Sequence, residues 1–359
     1  MTMEKSVEPG RLLRIIDDLA GCRVAIVGDL IADEFIYGEI ARVSREAPVL
    51  ILNYDSTDVV PGGAGNAAGN VASLGGAARL AGLVGRDEAG GRLLETLNAR
   101  RVDTRHVLRP AGYMTPTKTR ILAGGIHSAK QQVVRIDRAS ANGAVDEKMR
   151  TAFKAHVLRA VRGADAMLLS DYGCGLVTPA LVAEARKAFR ANGRAADGRR
   201  GGASRAEHPI VVDSRYNLTG FHGMTACTPN ESEVEHALGI RIGDNPRALE
   251  RAGRLLLRRT GAGAVLITRG SRGMALFEAD RPTRHIPIVG SDQIADVTGA
   301  GDTVIATLTL ALSAGATFAE AAHLANHAGG LVVMKRGTAT VSASELRYAI
   351  SGGSIGRPG

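Results

Sequence analysis

The chain has 359 residues, 45% of them apolar, which is enough for one large α/β domain or two smaller ones with a real core. A net charge of +9 is accompanied by only 3% aromatic residues, so stacking platforms for nucleic acid are scarce and the charge suits an anionic small substrate equally well. Three cysteines (Cys22, Cys174, Cys227) without metal-ligand spacing argue against a disulfide framework or structural zinc and for a reducing compartment.

Residues 12–19 are interrupted by Arg14, Asp17 and Asp18 and read as an amphipathic helix, not as the apolar core of a signal peptide. No run approaches the roughly 20 apolar residues of a membrane span, so a cytoplasmic protein without membrane or nucleic-acid partners is expected. Residues 24–28 form a short apolar run ending in Gly28-Asp29, the pattern of a buried parallel strand. In open α/β sheets, ligands bind at the carboxyl ends of such strands. Residues 34–39, 49–54, 117–122 and 132–137 alternate with period two. They predict a small sheet of two lid segments, about 33–60 and 112–138, inserted into a single domain spanning 1–359. A sheet with one apolar face and no covering helix either closes over a ligand or packs on a second subunit.

Beyond Ala144, strand patterns at 167–170, 210–213, 225–228 and 265–268 alternate with helical stretches such as 148–161 and 179–191. This rhythm predicts a mostly parallel sheet with helices on both faces, a three-layer α/β/α fold. Residues 191–206 are small, basic and of low complexity, and read as a flexible loop; residues 351–359 read as a frayed tail. Arg251, Arg254, Arg258 and Arg259 recur at helical spacing and read as a solvated helix face.

The most informative stretch is Asp296-Val297-Thr298-Gly299-Ala300-Gly301-Asp302-Thr303, followed by an apolar run to Leu312. A glycine turn opening a helix leaves free N–H groups at the positive end of the helix dipole, a site for an anion such as phosphate. Beside it, Asp302 supplies a carboxylate, the pair a kinase needs to move a phosphoryl group onto an alcohol. An ordinary glycine turn with an acidic residue in the first helical turn has the same spacing.

Four further segments carry the same kind of ambiguity. Gly62-Gly63-Ala64-Gly65-Asn66 allows close backbone approach by a polar ligand, or close helix packing through small residues. It lies past the first βα turn, which excludes a dinucleotide fingerprint. Asn230-x-x-Glu233 spells a capping box with Asn in the Ser/Thr position; it could also hold waters around Mg²⁺, which keeps most of its hydration shell. Thr268-x-Gly270-x-x-Gly273 links two strand patterns as a hairpin turn whose backbone could line a nucleotide pocket. Asp33 is either a surface turn residue or a ligand for sugar hydroxyls. His323 and His327, four apart on a helix, lack a third ligand and read as packing or surface residues. Walker A, G-x-S-x-G and H-E-x-x-H motifs do not occur.

The order of these segments resembles the ribokinase-like superfamily of sugar and nucleoside kinases, over about residues 24–346. Gly38-x-x-x-Arg42-Val43-Ser44-x-Glu46-Ala47-Pro48, Thr115-Pro116-Thr117-Lys118, 131–137 and Ser170-Asp171-Tyr172-Gly173-x-Gly175 look like the D-glycero-D-manno-heptose 7-phosphate kinases of lipopolysaccharide precursor synthesis. Cys174 departs from that pattern, where many relatives carry Lys. The chain carries no H-x-G-H nucleotidyltransferase motif and resembles the kinase-only form.

The resemblance implies that Asp302 takes the proton from the C1 hydroxyl while Gly299, Ala300 and Gly301 amides hold the transferring phosphoryl group of ATP. A loose transition state demands little of the base, so a carboxylate with its pKa lowered by the helix dipole would suffice. Asp33, Gly62, Gly63, Asn66 and Asp137 are the implied sugar contacts; Arg42, Lys118, Arg120 and Arg138 are candidates for the 7-phosphate. Asn230, Glu233, Thr268, Gly270, Gly273 and Asn326 are implied for nucleotide, with Mg²⁺ near Asn230 and Glu233 through water. K⁺ at Asp296 and Thr298 and a homodimer through paired lids are further implications.

Overall fold

The first helix, α1 (Pro9–Asp18), begins at a proline and buries Leu12, Ile15 and Ile16. The computed structural model describes residues 7–124, 130–138, 145–197, 208–289, 296–335 and 337–352. Val24 to Val27 are apolar without alternation because their strand, β1 (Arg23–Gly28), lies inside the main sheet with both faces covered. The chain then leaves that sheet in a long hairpin, β2 (Leu30–Val43) and β3 (Leu50–Gly63). It returns through α2 (Ala64–Ser73), β4 (Ala77–Leu83), α3 (Glu88–Ala99) and β5 (Asp103–Leu108). A second excursion, β6 (Thr117–Gly124) and β7 (Gln131–Arg138), pairs with the hairpin. After it come α4 (Glu147–Ala160), β8 (Ala166–Asp171), α5 (Pro179–Asp197), β9 (Ile210–Ser214), β10 (Ala226–Cys227), α6 (Glu231–Leu238) and α7 (Pro246–Thr260). The last elements are β11 (Ala264–Thr268), β12 (Met274–Glu278), β13 (Arg284–Ile286), α8 (Ala300–Ser313), α9 (Phe318–Val332) and α10 (Ala343–Ile350).

The large sheet runs in the order β13-β12-β11-β10-β9-β8-β1-β4-β5, and the small one β3-β2-β6-β7. From β11 to β5 the large sheet is parallel; β12 and β13 join antiparallel. Successive strands step from β1 toward β5, then restart on the other side of β1 at β8. That reversal opens a crevice at the carboxyl ends of β1 and β8, where ligands bind in such sheets. One apolar cluster, from α1, α2, α8, α9 and α10, covers one face of the sheet; another, from α4 to α7, covers the other. The three-layer α/β/α architecture with a second, smaller sheet is therefore the one the sequence predicts.

The lid strands are longer than predicted, 14 residues each in β2 and β3. Alternation fails at their inner ends, where Leu30 faces Gly63 and Ala32 faces Pro61 within the core, so both faces are apolar. β4 was not visible in the sequence because its Ala/Gly-rich residues have weak strand propensity; packing under α2 determines it. α5 continues to Asp197, so the expected 191–206 loop starts inside a helix; residues 198–207 lie outside the described residues, as do 353–359 of the expected tail.

One arginine of α7 is not on a solvated face. Arg254 donates to Glu250 Oε1, Glu278 O, Arg281 O and Thr283 Oγ1, and lies over the Phe277 ring. Arg251, Arg258 and Arg259 are exposed as predicted. Spacing alone could not separate Arg254 from them, since its partners come from the β12–β13 connection.

Candidate active site

At the crevice, Asp302 stands in the first turn of α8, 2% exposed. Its Oδ2 accepts from Asn66 Nδ2 at 3.0 Å, and its Oδ1 accepts from the Tyr172 hydroxyl at 3.0 Å. Burial pushes the Asp302 carboxyl up to about 7; the Asn66 and Tyr172 hydrogen bonds oppose the rise and the negative charge of Asp33 adds to it. Desolvation is thus the largest influence on this carboxyl, which is raised where a helix dipole alone would lower it.

Two glycines make this packing feasible. Gly299 caps α8 with φ +78°, and a Cβ there would stand 2.4 Å from Asn66 Nδ2. Gly63 caps α2 with φ +57° and ψ −132°, a region closed to other residues; a Cβ would stand 2.7 Å from Asp29 O and 3.3 Å from the Tyr172 ring. Gly62 lies against Asp33, where a Cβ would stand 2.3 Å from Oδ2.

The anion hole differs from the expected one in one amide. Ala300 N donates to Val297 O at 3.3 Å, whereas the amides of Gly299, Gly301 and Asp302 have no acceptor among the described residues. Gly299 and Gly301 line a cavity of about 400 Å³ with Asp213, Arg215, Thr228 and Glu233. Across Thr268 and Gly301 lies a second, mainly apolar cavity of about 140 Å³, lined by Gly270, Gly273, Val304, Asn326 and Gly330. A polar compartment therefore abuts an apolar slot, the two sharing Thr268 and Gly301.

Asn230 and Glu233 do form the capping box: Glu233 N donates to Asn230 Oδ1, and Asn230 N donates to Glu233 Oε2, each at 2.9 Å. Glu233 Oε1 has no hydrogen-bond partner among the described residues, and burial raises the Glu233 carboxyl. Asp213 is pushed well up, by burial first and then by Glu233, and its Oδ1 has no hydrogen-bond partner among the described residues. Hard oxygen donors of this kind fit a divalent cation held through water. Asp296 spends both oxygens on backbone amides, accepting from Thr298 N of its own loop at 2.8 Å and from Gly337 N of the α9–α10 connection at 3.2 Å. Asn326 Nδ2 donates to Pro287 O at 2.8 Å and so anchors the wall of the apolar slot.

On the lid, the structure sorts the candidates. Asp33 pairs with Arg120, both largely buried, and Arg120 also covers Phe35. Lys118 faces the crevice 5.2 Å from the centre of the Tyr172 ring, and burial lowers its pKa. It makes no ion pair among the described residues. Asp137 lies opposite Lys118 in the β6–β7 register but is exposed and bound by Arg135. Arg138 lies on the reverse face, donating to Glu34 and Thr119. Arg42 lies nine positions beyond Asp33 on the same strand, roughly 30 Å along it at ~3.3 Å per residue. Within this chain, neither Arg42 nor Arg138 belongs to the crevice; period-two alternation already separates Arg138 from Asp137 and Lys118.

Three crevice residues were missed. Asp29 Oδ2 accepts from Tyr172 N at 2.8 Å and Cys174 N at 3.0 Å, fixing the loop after β8. In the sequence Tyr172 stands out only as part of Ser170-Asp171-Tyr172-Gly173, and Arg215 belongs to no motif. Both follow the carboxyl ends of strands, β8 and β9, and that position was the available signal. Burial and Asp29 together push the Cys174 thiol up to about 12, which makes it inert as a nucleophile.

Comparison with known proteins bears on the family and the fold. The chain is similar to the bifunctional protein HldE of Caulobacter vibrioides (39% identity over 95% of this chain and 65% of that protein) and of Trichlorobacter lovleyi (37%, 91% and 62%). It thus spans less than two thirds of the length of these curated relatives. Among solved structures, Arabidopsis thaliana ribokinase with ribose and ATP superposes with TM-score 0.69 at 20% identity, covering 92% of this chain and 98% of that one. Escherichia coli phosphofructokinase-2 with potassium gives 0.69 at 18% with the same coverage, so both likenesses speak to the fold. The profile of the pfkB family carbohydrate kinases matches residues 23–345, and the chain belongs to that family of sugar kinases.

Proposed function

We propose that the chain phosphorylates the C1 hydroxyl of D-glycero-D-manno-heptose 7-phosphate with ATP, in the cytoplasm, on the route to lipopolysaccharide heptose precursors. The observation that supports it most is a buried carboxylate, Asp302, at the meeting point of a phosphate compartment and a lid that carries Asp33 and Lys118. The similarity to HldE over more than nine tenths of the chain supports the choice of sugar.

Asp302 removes the hydroxyl proton as the C1 oxygen bonds to the γ-phosphorus. The bond from that phosphorus to the β,γ-bridging oxygen breaks and ADP leaves. A carboxyl titrating near neutrality is matched to this transfer. Amides of Gly301 and Asp302, with the guanidinium of Arg215 at the cavity wall, stabilise the transferring charge. Mg²⁺, bound to the nucleotide and held through water by Asn230 and Glu233, would offset phosphate charge. K⁺ belongs at Asp296 only if those loop hydrogen bonds are exchanged. Asp33 receives sugar hydroxyls beside Arg120. Lys118, which makes no ion pair among the described residues, is the contact proposed for the 7-phosphate.

Homodimerisation through the lids is part of this reading. Ile36, Ile121 and Val134 lie directly across from one another on the lid face opposite Asp33, and Val134 and Ile136 are each 46% exposed. An apolar patch of this kind favours a partner surface.

ADP release with the heptose phosphate, beside fructose 6-phosphate, ribose and adenosine, tests the substrate. Turnover with the heptose phosphate alone is expected. Preference for another sugar would overturn the substrate and leave the chemistry at Asp302 in place.

A further inference from the structure

The loop after β8 is built to hold one side chain. Asp29 Oδ2 accepts from the backbone of both Tyr172 and Cys174, and Asp171 Oδ1 accepts from Gly173 N at 3.0 Å. Ser214 Oγ in turn donates to Asp171 Oδ2 at 2.7 Å. Gly173 lies in the left-handed region (φ +85°), and a Cβ there would stand 2.7 Å from the Tyr216 ring. The Tyr172 ring is packed by Gly63 at the end of β3, its hydroxyl reaches Asp302, and the Lys118 ammonium of the lid sits over its face. A single side chain thus touches the base and, from two strands of the lid sheet, Gly63 at the end of β3 and Lys118 of β6.

We propose that Tyr172 is a positioning residue that couples the lid to the base, its hydroxyl orienting the Asp302 carboxylate and its ring seating Lys118. The inference rests on the reading of Asp302 as base. With Oδ2 occupied by Asn66 and Oδ1 by Tyr172, each oxygen keeps one lone-pair direction free, and the carboxylate cannot rotate away from the sugar hydroxyl. When Lys118 moves with the lid, the ring loses or gains a cation at its face, and the hydroxyl bonded to Asp302 moves with the ring. Cation–ring attraction is strongest where both groups are desolvated, as here. The charged groups that face Asp302 from other elements are Asp33 of β2, Lys118 of β6 and Asp213 of β9.

The test combines a titration with a mutant cycle. In protein labelled at aspartate Cγ, the Asp302 resonance, assigned by its loss in Asp302→Asn, is followed against pH by NMR. Tyr172→Phe keeps the ring and removes the hydroxyl, so the Asp302 midpoint should rise by about one unit and kcat fall about tenfold or more, since a hydrogen bond to the charged form is lost. Its acid limb should move to higher pH while the KM for ATP stays the same. Lys118→Met should raise the KM for the sugar phosphate in both backgrounds, through the lost phosphate contact, and lower kcat at saturating substrate in the wild-type background but little further in Tyr172→Leu. An unshifted Asp302 titration in Tyr172→Phe, with the fold intact by circular dichroism, overturns the orienting role. Equal falls in kcat on Lys118→Met in both backgrounds overturn the coupling. The titration needs no substrate, so a protein inactive on every sugar would refute the proposed function and still decide the Tyr172–Asp302 contact.

Discussion

Asn66 and Asp302 are 236 residues apart in sequence and share a buried 3.0 Å hydrogen bond. The amide can face only one way, because Asn66 Oδ1 accepts from Asn70 Nδ2 at 3.2 Å, and Asn70 Oδ1 in turn accepts from Val341 N at 3.3 Å. Asn66 therefore presents Nδ2 to the carboxylate and Gly299 O together. Asn66→Ala should raise the Asp302 midpoint further and lower kcat/KM at pH 7 by about 10- to 100-fold, the worth of a buried hydrogen bond to a charged group. Pre-steady-state kinetics would locate the loss in the transfer step; an unchanged rate would mean that the amide only packs α2 on α8.

The pH dependence has a definite sign. The Asp302 carboxyl titrates near 7 in the folded chain against about 4 in the unfolded one. Between those values the folded state holds the extra proton, so this group's contribution falls as pH rises from about 4 to 7 and is fully unfavourable above 7. Asp302→Asn should accordingly be more stable than the wild type at pH 8, by of order 1–4 kcal/mol, and no more stable at pH 4. Denaturant midpoints at the two pH values measure this. Activity runs the other way, since the base must be ionised, and kcat/KM should rise through a limb near pH 7.

Gly63 joins the lid to α2 in a conformation other residues avoid. Gly63→Ala combines backbone strain with a Cβ 2.7 Å from Asp29 O, and should cost about 2–4 kcal/mol. Activity should fall as well, because Asp29 and Tyr172 are the groups displaced. A fully active variant with an unchanged melting temperature would show that this junction is looser than described.

Arg254→Ala should lower stability by about 1–3 kcal/mol, through four lost hydrogen bonds and the exposed Phe277 face, and leave kcat alone. Arg258→Ala, on the solvated side of the same helix, should be neutral. Parallel thermal melts of the two variants separate buried from solvated arginine.

For the paired lids, Val134→Glu with Ile136→Glu places two charges on the exposed apolar face. Sedimentation should show a dimer converted to monomer, while the fold of the large sheet persists. A monomeric wild-type protein would remove this part of the proposal.

Much of the fold was legible because β1, β8, β9 and β11 are continuous apolar runs and the outer lid strands alternate. β4 and the inner lid ends were not, because packing rather than propensity shapes them. In the site, the turn at Gly299 and Asp302 stood out by its residues alone. Tyr172, Asp29 and Arg215 did not, because each acquires its position only when β1, β8 and β9 align their carboxyl ends. The basic candidates were separated by pairing: Arg120 is taken by Asp33 and Arg138 by Glu34, which leaves Lys118 over Tyr172.

The central claim is that Asp302 is the proton acceptor. Single-turnover phosphoryl transfer by Asp302→Asn, with ATP binding measured on the same preparation, tests it directly. Unaltered ATP affinity with transfer slowed by about 10²- to 10⁴-fold is predicted from the contribution of a positioned base. Transfer at near the wild-type rate would contradict the account.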